Sequence, residues 1–257
     1  MSSVDAPPGA LDTSPWANAD RRRVAARVVR SWAAAVAIVV AIMSACGLLI
    51  THALADTSLG RLDRRVALHL FASRTARLDR FTGWGTFPAD PIPVAVIWVS
   101  AMAIAYVLIR RVEAPLFILL AVGGEKTSYF LTTLIVRRSR PDIPTIGVRH
   151  VTSSFPSGHV GSAVSLYGAL AILVVAHATR RSPVAKVSAV LLVLAVAATV
   201  GFCRMYRGFH FLTDVVAGAL VGGSWLIIAG RVLRSSRGHE REAHDVRGRV
   251  RVRGDSP

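Results

Sequence analysis

The chain of 257 residues is 53% hydrophobic and 18% charged, with a mean hydropathy of +0.48, too apolar for an ordinary soluble domain and typical of a polytopic membrane protein. Its net charge of +16 rests almost wholly on arginine, Lys126 and Lys186 being its lysines; arginines that flank apolar runs point to membrane-bordering loops rather than to nucleic acid. Cys46 and Cys203 sit in or beside apolar runs with no metal-type spacing, so neither a disulfide framework nor a zinc site is expected.

The first 20 residues, rich in Pro, Ala, Ser and Asp, open a leader over residues 1–30 that is expected to be disordered and cytoplasmic. Apolar stretches follow at about 31–54, 92–109, 114–136, 157–177, 187–203 and 211–230, each near the ~20 residues that cross a bilayer. The first resembles a signal peptide with a cleavage site after Ala55. Its apolar run is longer than such segments carry and a long polar stretch precedes it, so a retained helix is expected. Between the first two runs, LGRLDRRVALHLFASRTARLDRFTGWG (Leu59–Gly85) has apolar residues at helical spacing and is expected to lie along the membrane interface. The tail, residues 234–257, is polar and Arg-rich and is expected to be disordered. The fold class is therefore all-α: one domain over residues 31–233, an integral membrane bundle of six transmembrane helices with an interfacial helical segment between helices 1 and 2.

Arginine placement sets an orientation. Arg21, Arg22, Arg23, Arg27 and Arg30, then Arg110 and Arg111, then Arg180, Arg181 and Lys186, then Arg231 onward fall on one side. The positive-inside rule puts that side, with both termini, in the cytoplasm. Arg61, Arg64, Arg65, Arg74, Arg77 and Arg80 run against this pattern, partly offset by Asp56, Asp63 and Asp79.

In a six-helix chain the connections 3–4 and 5–6 share the opposite, extracytoplasmic face. Those connections and the helix starts beyond them hold VRRSRPD (Val136–Asp142), PSGH (Pro156–His159) and CRMYRGFHFLTD (Cys203–Asp214). Arg140, Ser157, Gly158, His159, Arg204, His210 and Asp214 can thus converge at one end of an apolar bundle, where polar residues mark a site. Arg140 and Arg204 offer planar forks of donors that match phosphate oxygens. His210 and Asp214 stand one helical turn apart, so the carboxylate can accept the imidazole N–H and leave the other nitrogen nucleophilic. His159 can donate a proton to a leaving alkoxide. Ser157 and the amides of Ser157, Gly158 and His159 can hold the equatorial oxygens of a phosphoryl group at a helix start. Each histidine or arginine alone reads more simply as a structural or snorkelling residue; their gathering on one face does not.

These residues resemble the type 2 phosphatidic acid phosphatase (PAP2) superfamily, in its integral-membrane lipid phosphatase branch. Its signature is K-x6-R-P, P-S-G-H and S-R-x5-H-x3-D. The second motif is complete at Pro156–His159, the third reads Cys203-Arg204, His210 and Asp214, and the first keeps Arg140-Pro141. The resemblance covers roughly residues 55–230. It implies hydrolysis of a phosphate ester without a metal or other cofactor, through a phosphohistidine. His210 would be the nucleophile, Asp214 its orienting group and His159 the acid and then the base, with Arg140, Arg204, Ser157 and Gly158 on the phosphoryl group. The few acidic residues of the site face, mainly Asp142 and Asp214, likewise offer no cluster for Mg²⁺.

Two positions depart from the pattern. Cys203 stands for the serine of the third motif, and Thr133 stands where the first has its lysine. Arg137 or Arg138 is expected to take the place of the missing cation. Lys126, two turns deeper beside Glu125, reads first as a structural ion pair and second as a lining of the substrate cavity. Trp84, Trp98, Tyr129 and Tyr206 read as interfacial or packing aromatics rather than substrate platforms, and His150 stands near the site without motif support. The expected function is hydrolysis of a lipid phosphate or a lipid (polyprenyl, such as undecaprenyl) pyrophosphate at the membrane surface. Its partners are that substrate and membrane lipids, not nucleic acid, with no oligomeric state implied. The alternative is a catalytically weakened lipid-phosphate binding or transport protein, which Thr133 favours and the retained His210, His159 and Asp214 oppose. A vanadate-holding haloperoxidase shares the residue set but is disfavoured by the apolar spans.

Overall fold

The computed structural model describes residues 15–148, 152–178 and 182–254, with side chains described for residues 22–148, 152–177 and 182–235. Among them all regular structure is helical. Helix α1 (Pro15–Leu48) runs on through a π-helical turn at Leu49–Ala53. Two shorter helices follow, α2 (Ser58–Ala72) and α3 (Ala76–Thr86), then α4 (Pro91–Ile109) and α5 (Glu113–Val136). After a 21-residue connection, α6 (Gly158–His177) contains a π-helical turn at Ala163–Tyr167, and α7 (Pro183–Tyr206) and α8 (Leu212–Gly254) complete the bundle.

Among the described residues, five segments are long and apolar enough to cross a membrane: Arg22–Ala53, Ala76–Ile109 (which takes in α3 and α4), and helices over Gly158–His177, Pro183–Tyr206 and Leu212–Ser235. By length and composition this is a multi-pass membrane protein. The sixth expected span is α5, and it falls outside that set for a physical reason. It is the central helix, burying Glu125, Ser128, Thr132 and Thr133 against its neighbours, so its sequence is written for protein contact rather than for lipid. Residues 15–30 and 234–254, expected to be disordered, are helical, as continuations of α1 and α8; residues 1–14 and 255–257 lie outside the described residues.

Helix α1 belongs to the core. Val36, Val39 and Met43 pack with Val136, Phe155, Val221 and Trp225, and Trp32 Nε1 donates to the Leu120 carbonyl at 3.3 Å. A second cluster gathers Ile118, Ala121 and Val122 of α5, Leu166 and Ala169 of α6, and Ala229 of α8. Exposed apolar side chains line α4 (Val96, Val99, Leu108) and α7 (Val187, Leu191, Leu194), faces suited to lipid.

Glycine spacing sets the contact that matters most for the site. Gly218 and Gly222, four apart on α8, meet the backbone oxygens of Ser157 and Gly161, four apart on α6. Any side chain at either α8 position would collide with the α6 backbone, so small residues bring the two helix starts together.

Helix α2 buries Gly60, Asp63 and Ala67, spaced three and four apart on one face, while Leu62, Leu68 and Phe71 stay exposed. The start of α3 is capped by Thr75, whose hydroxyl accepts from the Leu78 amide at 3.3 Å. Tyr206 at the end of α7 ties it down: the Thr75 amide donates to the Tyr206 hydroxyl at 2.8 Å, and that hydroxyl donates to Asp79 Oδ1 at 3.0 Å.

Candidate active site

The connections before α6 and before α8 meet at one end of the bundle. The Ile146 amide donates to the Arg207 carbonyl at 3.0 Å, and the Ser157 amide to the Asp214 carbonyl at 2.9 Å. Around that junction the chain buries Arg138, Arg140, Ser157, Arg204, His210 and Asp214, with His159 partly exposed.

His210 Nδ1 lies 2.7 Å from the Ser154 carbonyl oxygen. A carbonyl can only accept, so Nδ1 carries the hydrogen and Nε2 of the neutral ring keeps its lone pair. The expected partner, Asp214, is 3.8 Å away at Oδ2, beyond hydrogen-bond reach. Its carboxylate is taken elsewhere: Oδ2 accepts from the Phe211 amide at 2.8 Å and Oδ1 from Arg138 Nη1 at 2.5 Å. Ser154 therefore sets the tautomer, and Asp214 acts on the ring through space. Burial holds His210 below the usual histidine range; the positive charges of Arg204 and Arg140 push the same way, and Asp214 opposes them.

Two helix starts carry capping residues that do not cap. Ser157 precedes α6 and Asp90 precedes α4, and neither side chain bonds its own helix. Asp90 instead reaches His159, with Oδ1 3.0 Å from Nε2. Ser157 Oγ is buried with no protein partner, and so is Arg204 Nε. Buried polar groups without partners are rare in folded proteins; here two of them fall among the residues expected to hold phosphate. The amides of Gly158 and His159 open α6, where helix geometry leaves them without an i−4 acceptor. The Ser157 amide, expected to join them, is spent on the Asp214 carbonyl.

Arg140 and Arg204 share the Phe209 ring, with guanidinium carbons 5.9 and 4.0 Å from its centroid. Arg140 also donates to the Phe209 carbonyl at 2.7 Å and to Thr152 Oγ1 at 3.3 Å. The residue before His210 thus holds both arginines. Gly158 lies against Tyr129, where a Cβ would stand 2.8 Å from the phenol ring.

The expected replacements for the missing cation sit differently. Arg137 ends α5 in the left-handed region with φ 48°, and its exposed side chain turns back to the Leu134 carbonyl at 3.0 Å. Arg138 is buried and committed to two carboxylates, with Nη2 2.9 Å from Asp63 Oδ2 besides its bond to Asp214. Thr133 Oγ1 donates to the Phe130 carbonyl of its own helix at 2.7 Å. Lys126 pairs with the buried Glu125 at 3.5 Å and donates to Ser162 Oγ one turn inside α6, the structural ion pair expected first. His150 lies outside the described residues. Among the described residues no group of three or more His, Cys, Asp or Glu side chains is placed to hold a metal ion.

Asp90 and Asp63 are the site residues that motif reading missed. Both lie between the first two apolar runs, far in sequence from every motif. A signal for Asp90 was present, an acidic residue just before Pro91 at a helix start; nothing local marks Asp63.

A sequence model of the PAP2 superfamily matches residues 114–237. That match covers just under half of the chain. The match takes in α5 through the bundle part of α8, hence His159 and His210 with Arg140, Arg204 and Asp214 of the motifs, and leaves out α1 to α4. Phosphatidylglycerophosphatase B of Bacillus subtilis is 33% identical over 113 residues, which cover 44% of this chain and 55% of that protein. The matched region thus spans little more than half the length of that curated relative. A crystal structure of a transmembrane PAP2-type phosphatidylglycerolphosphate phosphatase from Bacillus subtilis superposes with a TM-score of 0.64 at 22% identity, covering 79% of this chain and 96% of that one. That likeness shows a shared fold that reaches beyond the matched region, over most of the bundle.

Proposed function

We propose that this chain is a PAP2 protein, a metal-independent phosphatase that hydrolyses a lipid phosphate or lipid pyrophosphate at the membrane surface through a phosphohistidine. One observation carries the reading: Ser157 Oγ and Arg204 Nε are buried without protein partners beside the first amides of α6. Donors arranged in this way fit the oxygens of a transferring phosphoryl group.

In the proposed reaction the Nε2 lone pair of His210 attacks phosphorus, and the P–O bond to the lipid breaks. Arg140, Arg204, Ser157 and the Gly158 amide hold the equatorial oxygens. His159, kept in place by Asp90 at Nε2, passes a proton to the leaving oxygen. Water then attacks the phosphohistidine, giving its proton to His159 and releasing inorganic phosphate. The arginines supply the positive charge that other phosphatases draw from metal ions.

The proposed topology has six spans, α5 being the sixth, with α2 and α3 along the interface. The exposed Leu62, Leu68 and Phe71 of α2 suit that position. Arginine placement puts both termini in the cytoplasm and the site on the extracytoplasmic face. A site at the end of the bundle suits a substrate with a polar headgroup and a tail that stays in lipid. The relative's name makes phosphatidylglycerol phosphate a candidate beside phosphatidic acid and polyprenyl phosphates.

Thr133, whose hydroxyl serves its own helix, favours a second reading, a lipid-phosphate binding or transport protein. Phosphate release in EDTA separates the two. The purified protein is offered a polyprenyl pyrophosphate, a polyprenyl monophosphate, phosphatidic acid and phosphatidylglycerol phosphate in parallel. Release from at least one is expected; binding without release from any would establish the second reading.

A further inference from the structure

We infer that Asp63, on α2 and outside the matched PAP2 region, is a positioning residue for the reaction proposed at His210, working through Arg138. The inference rests on the reading of His210 as nucleophile. Asp63 is buried, with 2% of its surface exposed, and makes three bonds that all lead to the site. Its Oδ1 accepts from the Thr213 amide at 3.0 Å, and its Oδ2 from the Thr213 hydroxyl at 2.5 Å and from Arg138 Nη2 at 2.9 Å. Thr213 and Asp214 form the first turn of α8, directly after His210.

Arg138 joins Asp63 to both groups that act on His210. Its Nη1 donates to Asp214 Oδ1 at 2.5 Å and to the Thr213 hydroxyl at 2.7 Å. Its backbone carbonyl accepts from the Ser154 amide at 2.9 Å, and its amide donates to Ser153 Oγ at 3.0 Å. Ser154 is the residue whose carbonyl takes the His210 Nδ1 hydrogen. The Arg138 backbone therefore holds Ser154, whose carbonyl fixes the histidine tautomer, and its side chain holds the Asp214 carboxylate that lies 3.8 Å from the ring. Asp63 fixes the other end of its guanidinium.

A second carboxylate also has a reason of charge. One buried guanidinium shared by two buried carboxylates leaves the cluster net negative beside a ring that gains positive charge as it attacks phosphorus. Buried ion pairs add little stability over an apolar packing of equal volume. Their use lies in fixing one arrangement, and the arrangement fixed here is that of His210.

The test uses the full chain in detergent, with Asp63→Ala and Asp63→Asn, and Asp56→Ala as the control on the preceding turn, where Asp56 is fully exposed and 3.9 Å from Arg64. Two quantities are read: kcat and KM for the lipid hydrolysed best, and the affinity for orthovanadate, a phosphoryl mimic that needs no turnover. Asp63→Ala is expected to lower kcat by roughly 10- to 100-fold, the scale of a small misplacement of a reacting group, with KM within about twofold and vanadate bound correspondingly more weakly. Asp63→Asn, which keeps an acceptor oxygen without the charge, falls between, and Asp56→Ala matches the native protein. If Asp63→Ala does not fold, Asp63→Asn carries the test. Native kcat and vanadate affinity in folded Asp63 variants would overturn this inference alone. A native protein that neither releases phosphate nor binds vanadate would overturn the proposed function, and this inference with it.

Discussion

The Ser154 carbonyl oxygen stands 2.7 Å from His210 Nδ1 and fixes the hydrogen on that nitrogen. The tautomer that the proposed attack by Nε2 needs is therefore built by a backbone group, not by Asp214, and it is expected to survive loss of the carboxylate.

A pH dependence follows. The pKa of His210 is lowered from 6.5 by burial, so in the folded protein the ring stays neutral to lower pH than in the unfolded chain. Between the two pKa values the unfolded chain binds a proton that the folded one does not, so stability falls as pH drops below 6.5 and is restored above it. Thermal unfolding from pH 7.5 to 5 is expected to show this loss, reduced in His210→Gln. The acidic limb of kcat/KM for phosphate release is expected below pH 6.5; a limb above 6.5 would contradict the assignment.

The three motifs made much of the site readable from sequence. P-S-G-H and the third motif fix residue types at the spacing of one helix start and one turn, and Arg140, Ser157, Gly158, Arg204 and His210 come together as that spacing implies. What was hidden depends on tertiary contacts. Nothing in Asp90 tells that it forgoes capping α4 to hold His159, and nothing in Arg138 tells that α2 brings it a second carboxylate. The location of α5 was legible as an apolar run, but its polar residues face protein, so hydropathy alone understates its place at the centre.

Arg138→Ala is expected to unfold the protein more readily, because it leaves Asp63 and Asp214 as two adjacent buried carboxylates. Removing one partner of a buried ion pair costs about 3–5 kcal/mol. Thermal unfolding in detergent should show Arg138→Ala far below the native protein, and Arg137→Ala, an exposed cation bonded to its own helix, near native.

Gly158→Ala places a methyl group 2.8 Å from the Tyr129 ring. Overpacking of this kind costs about 1–3 kcal/mol, and it displaces the first amides of α6. Loss of stability and of phosphate release is expected together. Tyr129→Ala in the same chain should recover the stability, which melting of the double variant would show.

Lys126→Met leaves the Glu125 carboxylate buried and unpaired, at a cost of about 3–5 kcal/mol. The double variant Glu125→Gln, Lys126→Met is expected to be more stable than Lys126→Met alone. If the pair is structural, that double variant keeps KM within about twofold of native; a rise in KM of tenfold, about 1.4 kcal/mol, would instead place Lys126 in the substrate cavity.

The central claim is covalent catalysis by His210, and acid–base trapping of the intermediate tests it most directly. Native protein is mixed with a ³²P-labelled lipid phosphate that it hydrolyses, quenched in alkali within milliseconds and separated from free lipid. Label that stays with the protein in alkali, is lost in mild acid and is absent from His210→Ala is the predicted result. Full hydrolytic activity in His210→Ala, or label that survives acid, would contradict it.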